Sequence, residues 1–183
     1  MPLTTEEAAA ALKDITQTEQ RSTAAYSYRM SSPHLILWGF VWLIGYGVMA
    51  AKIHWDPLWL VLSIGGSVGS FYIGWRMSNR KQAGFDWRYT ASFLVICGFI
   101  SAILTVLPPQ SDAQFGAFFP ILVALYYALI GIWTRGLRML FAGVALAVLT
   151  LIGFFYLRDV FDLWMAIVGG GGLILGGLWL RSV

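Results

Sequence analysis

Charge is scarce in this chain. Only 11% of its 183 residues are Asp, Glu, Lys or Arg, against about 25% in a typical soluble domain. No ionisable Asp, Glu, Lys, Arg or His falls in the middle of the long apolar runs that follow residue 34. A charge at the bilayer centre opposes insertion by about 2.5–3.5 kcal/mol and is normally retained only for function. Its absence argues against a proton relay and a voltage sensor. Cysteine is nearly missing too: Cys97 stands alone, which excludes an intrachain disulfide, and a thiol in apolar surroundings is ordinarily inert. Histidine is limited to His34 and His54. They sit at opposite ends of one apolar run, roughly 30 Å apart at about 1.5 Å per residue, so they cannot share a metal or bracket one haem. No metal and no cofactor is expected. Net charge is +3 and the pI about 9.2, yet no basic run exceeds Arg80-Lys81, which argues against nucleic acid.

What fills the chain is apolar. Hydrophobic residues make up 58% and the mean hydropathy is +0.72. Six runs, 35–51, 57–75, 91–107, 115–134, 137–157 and 161–180, each approach the ~20 residues needed to cross a hydrocarbon core of about 30 Å. The expected fold is all-α: a polytopic membrane protein with six transmembrane helices in three antiparallel hairpins. A helical segment, residues 1–34, precedes the membrane domain, residues 35–183. The first run follows a polar stretch with Glu6, Glu7, Asp14 and Glu19 and no Ala-x-Ala-like cleavage pattern, so the first span is expected to act as its own insertion signal.

The cations orient the bundle. Alternating the loops places Lys13, Arg21, Arg29, Arg76, Arg80, Lys81, Arg88, Arg135, Arg138 and Arg181 on one side. Lys52 and Arg158 fall on the other. Short cytoplasmic loops carry the Lys/Arg excess, so both termini are expected in the cytoplasm of a cell (inner or plasma) membrane. Tryptophans cluster at the run ends: Trp38, Trp42, Trp75, Trp133 and Trp179 inside, Trp55, Trp59 and Trp164 outside, where amphipathic rings favour the headgroup level.

Local signals punctuate the runs. Residues 4–29 read as a helix, with Thr4 and Glu7 at capping-box spacing and a narrow stripe of Ala8, Leu12, Ile15, Ser22 and Tyr26. That stripe would lie on the membrane or protein surface, or contact a cytoplasmic partner. Ser31-Ser32-Pro33 suits a helix start, as does Pro57, and Pro108-Pro109 ends the third run. Three strings, Gly74-Trp75-Arg76, Gly131-Ile132-Trp133-Thr134-Arg135 and Gly177-Leu178-Trp179-Leu180-Arg181, close the second helix of each expected hairpin. They fit either an internal repeat, as in many carriers, or the shared grammar of a membrane interface.

Glycine is the most pointed signal inside the runs. Gly65 and Gly69, and Gly172 and Gly176, are four apart, a spacing that lets helices approach closely within a copy or between copies of a homo-oligomer. The run Gly169–Gly172 also weakens a helix by about 1 kcal/mol per residue and could serve as a hinge. Gly65-Gly66-Ser67-Val68-Gly69 matches Gly-x-Ser-x-Gly, but that motif needs a strand-to-helix turn with His and acid partners, and here it falls inside a transmembrane run. Asp56, Asp112, Asp159 and Asp162 lie on the outer side. They either cap helix N-termini or ring a cation-attracting mouth. Tyr46, Tyr72, Tyr126 and Tyr127, with Ser63, Ser67, Ser92, Ser101 and Thr105, could line a solute path or bond to backbone. No catalytic constellation emerges. The sequence therefore points to a non-enzymatic binding, accessory or scaffold protein embedded in membrane lipid, the alternative being a small transporter or channel for a neutral solute.

Overall fold

The computed structural model describes residues 5–53, 55, 57–79 and 87–182. Thr4, His54 and Asp56 lie outside the described residues, as do the side chains of Ala8 and Ile15 on the N-terminal stripe and of Glu19, which interrupts it. Every described element is helical, and there is no strand among the described residues. The helices are α1 (Thr5–Ala50), α2 (Leu58–Asn79), α3 (Trp87–Val106), α4 (Asp112–Trp133) and α5 (Leu137–Tyr156). The final segment is composite. A 3-10 turn, Arg158–Val160, leads into α6 (Phe161–Trp164), a π-helical stretch, Met165–Gly171, and α7 (Gly172–Arg181).

Among the described residues, five segments are long and apolar enough to cross a membrane: Tyr28–Ala50, Leu58–Met77, Asp112–Trp133, Leu137–Tyr156 and Arg158–Arg181. The apolar part of α3, Ala91–Val106, is shorter, because Arg88-Tyr89-Thr90 opens that helix with polar residues. At 1.5 Å per residue it covers about 24 Å.

The expected helix start at Ser31-Ser32-Pro33 is not a start. α1 is a single 46-residue helix that carries Pro33 in its interior, roughly 69 Å along its axis. The polar stretch and the first span therefore share one continuous element. Ser32 does not cap because its hydroxyl is engaged across the bundle: it donates to the Gly177 carbonyl at 2.7 Å and accepts from Arg181 Nε at 3.0 Å. Tertiary partners override the local capping preference of Ser-Pro.

Two turns close in the same way. After α4, Gly136 N–H bonds the Gly131 carbonyl (2.8 Å) and Arg135 N–H the Ile132 carbonyl (3.2 Å). After α1, Ile53 N–H bonds the Val48 carbonyl (3.3 Å) and Lys52 N–H the Met49 carbonyl (2.9 Å). Both are Schellman motifs, which satisfy the last free carbonyls of a helix. Arg135 (φ 53°) and Lys52 (φ 56°) hold the left-handed position usually given to glycine. α4 starts on Ser111, whose hydroxyl accepts from Gln114 N–H at 3.3 Å, with Asp112 in the first turn.

Packing is tightest between α4 and α5 and between α1 and the final segment, with α2 laid along α1. Met139, Met165, Leu35 and Thr150 are fully enclosed. Among the described residues, α3 has no extensive interface with any other helix. Phe93 meets Phe71 of α2 edge-on at 5.7 Å, and most α3 side chains face outward.

Candidate functional site

The seam between α1 and the final segment is built from glycine and aromatic rings. A Cβ added at Gly170 would lie 2.6 Å from the Leu43 amide nitrogen, and one at Gly39 would lie 2.9 Å from the Gly170 carbonyl. Farther along, Gly177 would meet Ile36 Cγ1 at 2.6 Å and the Ser32 carbonyl at 3.0 Å. Backbone therefore touches backbone along several turns, which is how helices associate where lipid supplies no hydrophobic drive. The π-helical stretch lies within this seam. Its wider turn is accommodated by Val168-Gly169-Gly170-Gly171, of which Gly169 and Gly170 are buried. Gly171 and Gly172 have no atom within 4 Å of an added Cβ.

Above the glycines the seam is filled by rings. Tyr46, only 3% exposed, meets Trp59, Trp42 and Phe161 edge-on, with centroids 4.9, 6.3 and 6.4 Å away. Its hydroxyl donates to the Gly116 carbonyl of α4. Trp164 donates its indole N–H to the Leu149 carbonyl at 2.9 Å and covers Gly153. Trp38 donates to Ser70 Oγ at 3.1 Å and covers Gly66. Several tryptophans read as an interface belt are thus packing residues, whereas Trp55, Trp75 and Trp133 are exposed. No buried side-chain nitrogen or oxygen among the described residues lacks a hydrogen-bond partner.

The glycines singled out by spacing fall in varied places. Gly65 and Gly172 face open space, Gly69 lies against Leu37 (2.9 Å to Cδ2), and Gly176 makes ordinary contact with Leu35 at 3.6 Å. Gly65 through Gly69 are helical residues of α2, so Ser67 sits on no strand-to-helix turn. Of the aspartates, Asp112 and Asp162 lie in the first turns of α4 and α6. Asp159 is exposed in the 3-10 turn. The tyrosines and hydroxyls proposed to line a path do not converge. Tyr46 and Tyr127 are buried and Tyr72 and Tyr126 exposed, while Thr105 bonds back to the Ser101 carbonyl at 2.8 Å on the outward-facing α3. Among the described residues, no three His, Cys, Asp or Glu side chains form a cluster able to hold a metal ion.

At the arginine-rich end the geometry is different. Arg138 donates to the Trp179 carbonyl at 3.2 Å, its guanidinium 4.9 Å above the Trp179 ring, and its backbone N–H reaches Tyr28 Oη at 3.3 Å. These contacts tie α5, α7 and α1 together. Beside them a cavity of about 810 Å³ opens between α1, α2 and α7. Arg29, Arg76 and Arg181 line it, with Tyr72, Ile73 and Leu180 among its walls, and no carboxylate lines it among the described residues. Arg181 commits its Nε to Ser32. Arg29 and Arg76 have neither an ion-pair nor a hydrogen-bond partner among the described residues. Sequence reasoning used these arginines only to set orientation. The missed signal was their place at the ends of three apolar segments, which alternation of the segments brings together. Comparison with protein-family models, with curated proteins and with solved structures finds no match.

Proposed function

We propose that this chain is a multi-pass protein of the cell membrane that works by binding or scaffolding, without catalysing a reaction. α3 serves as a sixth, short span that completes the hairpin order, and both termini face the cytoplasm. The observation that supports a binding role over transport is the closed seam: Gly39, Gly170 and Gly177 at backbone contact, with Tyr46, Trp42 and Phe161 above them. A solute path needs polar groups and space where this bundle has packed rings and paired hydroxyls. The polar half of α1 is the natural contact for a cytoplasmic protein, because its described side chains Leu12, Asp14 and Thr18 are exposed. Gly65 and Gly172, facing outward, offer a surface for a second copy in the bilayer, while Gly69 and Gly176 face α1 of the same copy. Nucleic acid is not a partner in this proposal.

A second reading, a transporter or channel for a neutral solute, draws support from the π-helical stretch, since such segments recur at functional sites. Stopped-flow light scattering on proteoliposomes separates the two. The binding reading expects water, glycerol and urea to equilibrate no faster than in protein-free vesicles. A protein-dependent flux that Gly170→Leu abolishes would establish the transporter instead. Leucine at Gly65 and Gly172 should reduce crosslinked dimer if copies meet there, and an unchanged crosslink pattern would remove the homo-oligomer from the proposal. Labelling a cysteine placed at Asp112 from outside intact cells, in a Cys97→Ser background, tests the topology.

A further inference from the structure

We propose that the cavity between α1, α2 and α7 binds the phosphate-bearing headgroup of an anionic membrane lipid, with Arg29 and Arg76 on the phosphate oxygens and Arg181 completing the positive rim. The assignment does not depend on the scaffold reading, and it would hold equally for a transporter.

Three guanidinium groups surround one concave space with no carboxylate to neutralise them among the described residues. Like charges gathered around one space repel, and an anion bound between them relieves that repulsion. Guanidinium matches phosphate oxygens through two parallel N–H bonds and is the side chain best suited to that geometry. Arg29 and Arg76 have no hydrogen-bond or ion-pair partner among the described residues, whereas Arg181 is positioned by Ser32 (3.0 Å) and presents its charge from the end of α7.

The depth of the cavity selects a lipid over a soluble phosphate compound. Arg76 and Arg181 sit at the very ends of the apolar segments Leu58–Met77 and Arg158–Arg181, which is the headgroup level of a bilayer. Ile73, Met77 and Leu180 also line it, apolar surface suited to a glycerol backbone and the first methylenes of an acyl chain. Tyr72, exposed on the same wall, is a residue type that favours this interface. A volume of about 810 Å³ lies within the usual range of ligand sites. Basic pockets between spans on the side of the Lys/Arg excess are where acidic headgroups bind.

The test uses the full chain, purified in neutral detergent and mixed with phosphatidylglycerol or phosphatidylcholine, with retained lipid counted by native mass spectrometry. Phosphatidylglycerol should be retained and phosphatidylcholine not. The double variant Arg29→Gln/Arg76→Gln should lose roughly tenfold or more in retention, because a charge-assisted pair is lost at each position. Lys52→Gln, at the opposite end, should bind like the parent. Equal retention of both lipids, an unaltered double variant, or an equal loss in K52Q would overturn the assignment. Excess inorganic phosphate should leave the lipid in place, and displacement by it would give the site to a soluble phosphate compound. If the double variant does not purify as a single species, R76Q alone carries the same expected direction, with R76K losing less than R76Q.

Discussion

α3 and α5 are both apolar helices of 20 residues, yet one is bound on several sides and the other stands almost bare. α5 sets Gly143 against the Ala124 carbonyl and the Ala128 amide of α4, each 2.6 Å from an added Cβ, and buries Met139, Leu146 and Thr150. α3 also contains a glycine, Gly98, but nothing lies within 4 Å of its Cβ position. Both even carry the same hydroxyl device. Thr150 and Thr105 each bond the carbonyl four residues back at 2.8 Å, the first buried and the second exposed. Apolar composition therefore puts a helix into lipid without choosing its neighbours. Neighbours are chosen where a small residue on one helix meets a small residue on the next, as Gly143 meets Ala124 and Ala128.

That contrast can be broken most severely at Gly143. Leucine there drives a side chain into α4 backbone, and Gly143→Leu should destabilise the bundle by about 3 kcal/mol or more, read as a large fall in melting temperature in detergent. Gly170→Ala comes next, at about 1–3 kcal/mol, since its Cβ would strike the Leu43 amide. The neighbouring Gly172→Ala should instead be neutral or stabilising by up to about 1 kcal/mol, because alanine favours the helix and meets nothing. A fall in melting temperature for Gly172→Ala equal to that of Gly170→Ala would remove the distinction between the two halves of the glycine run. Arg135→Gly should stabilise the α4–α5 turn by about 1 kcal/mol by relieving a left-handed residue. Tyr46→Phe, which deletes the hydroxyl donated to Gly116, should cost about 0.6–1 kcal/mol, the modest value of interhelical bonds in membranes. Gly98→Leu on α3 should change stability by no more than about 0.5 kcal/mol, and a large loss there would mean that α3 is packed after all.

The helix ends were largely legible. Runs 137–157 and 161–180 match α5 and the α6-to-α7 segment to within a residue or two, because Arg135, Arg158 and Arg181 end the apolar stretches by chemistry that acts locally. The faces were not legible. Gly65–Gly69 and Gly172–Gly176 have the spacing expected of packing motifs, but spacing alone does not say which side of a helix meets a neighbour. Gly131, Gly143 and Gly170, isolated or within a run, make the closest approaches to a neighbouring backbone because of what stands opposite. Ser32 illustrates the same limit in miniature: its neighbours in sequence suggest a cap, and its partners, Gly177 and Arg181, are 145 and 149 residues away. The arginine-lined cavity was half readable. Its charges were visible as an orientation signal, and only the packing of α1, α2 and α7 gathers Arg29, Arg76 and Arg181 around one space.

The unbroken course of α1 has a mechanical corollary. The same rod carries the polar N-terminal half, the cavity residue Arg29, the Ser32 contact and the Gly39–Leu43 track against Gly170. With the Leu43 amide bearing directly on Gly170, α1 cannot rotate about its axis without displacing the π-helical stretch. An object gripping the polar half and a lipid held at Arg29 would thus turn the same shaft, and each would feel the other's load.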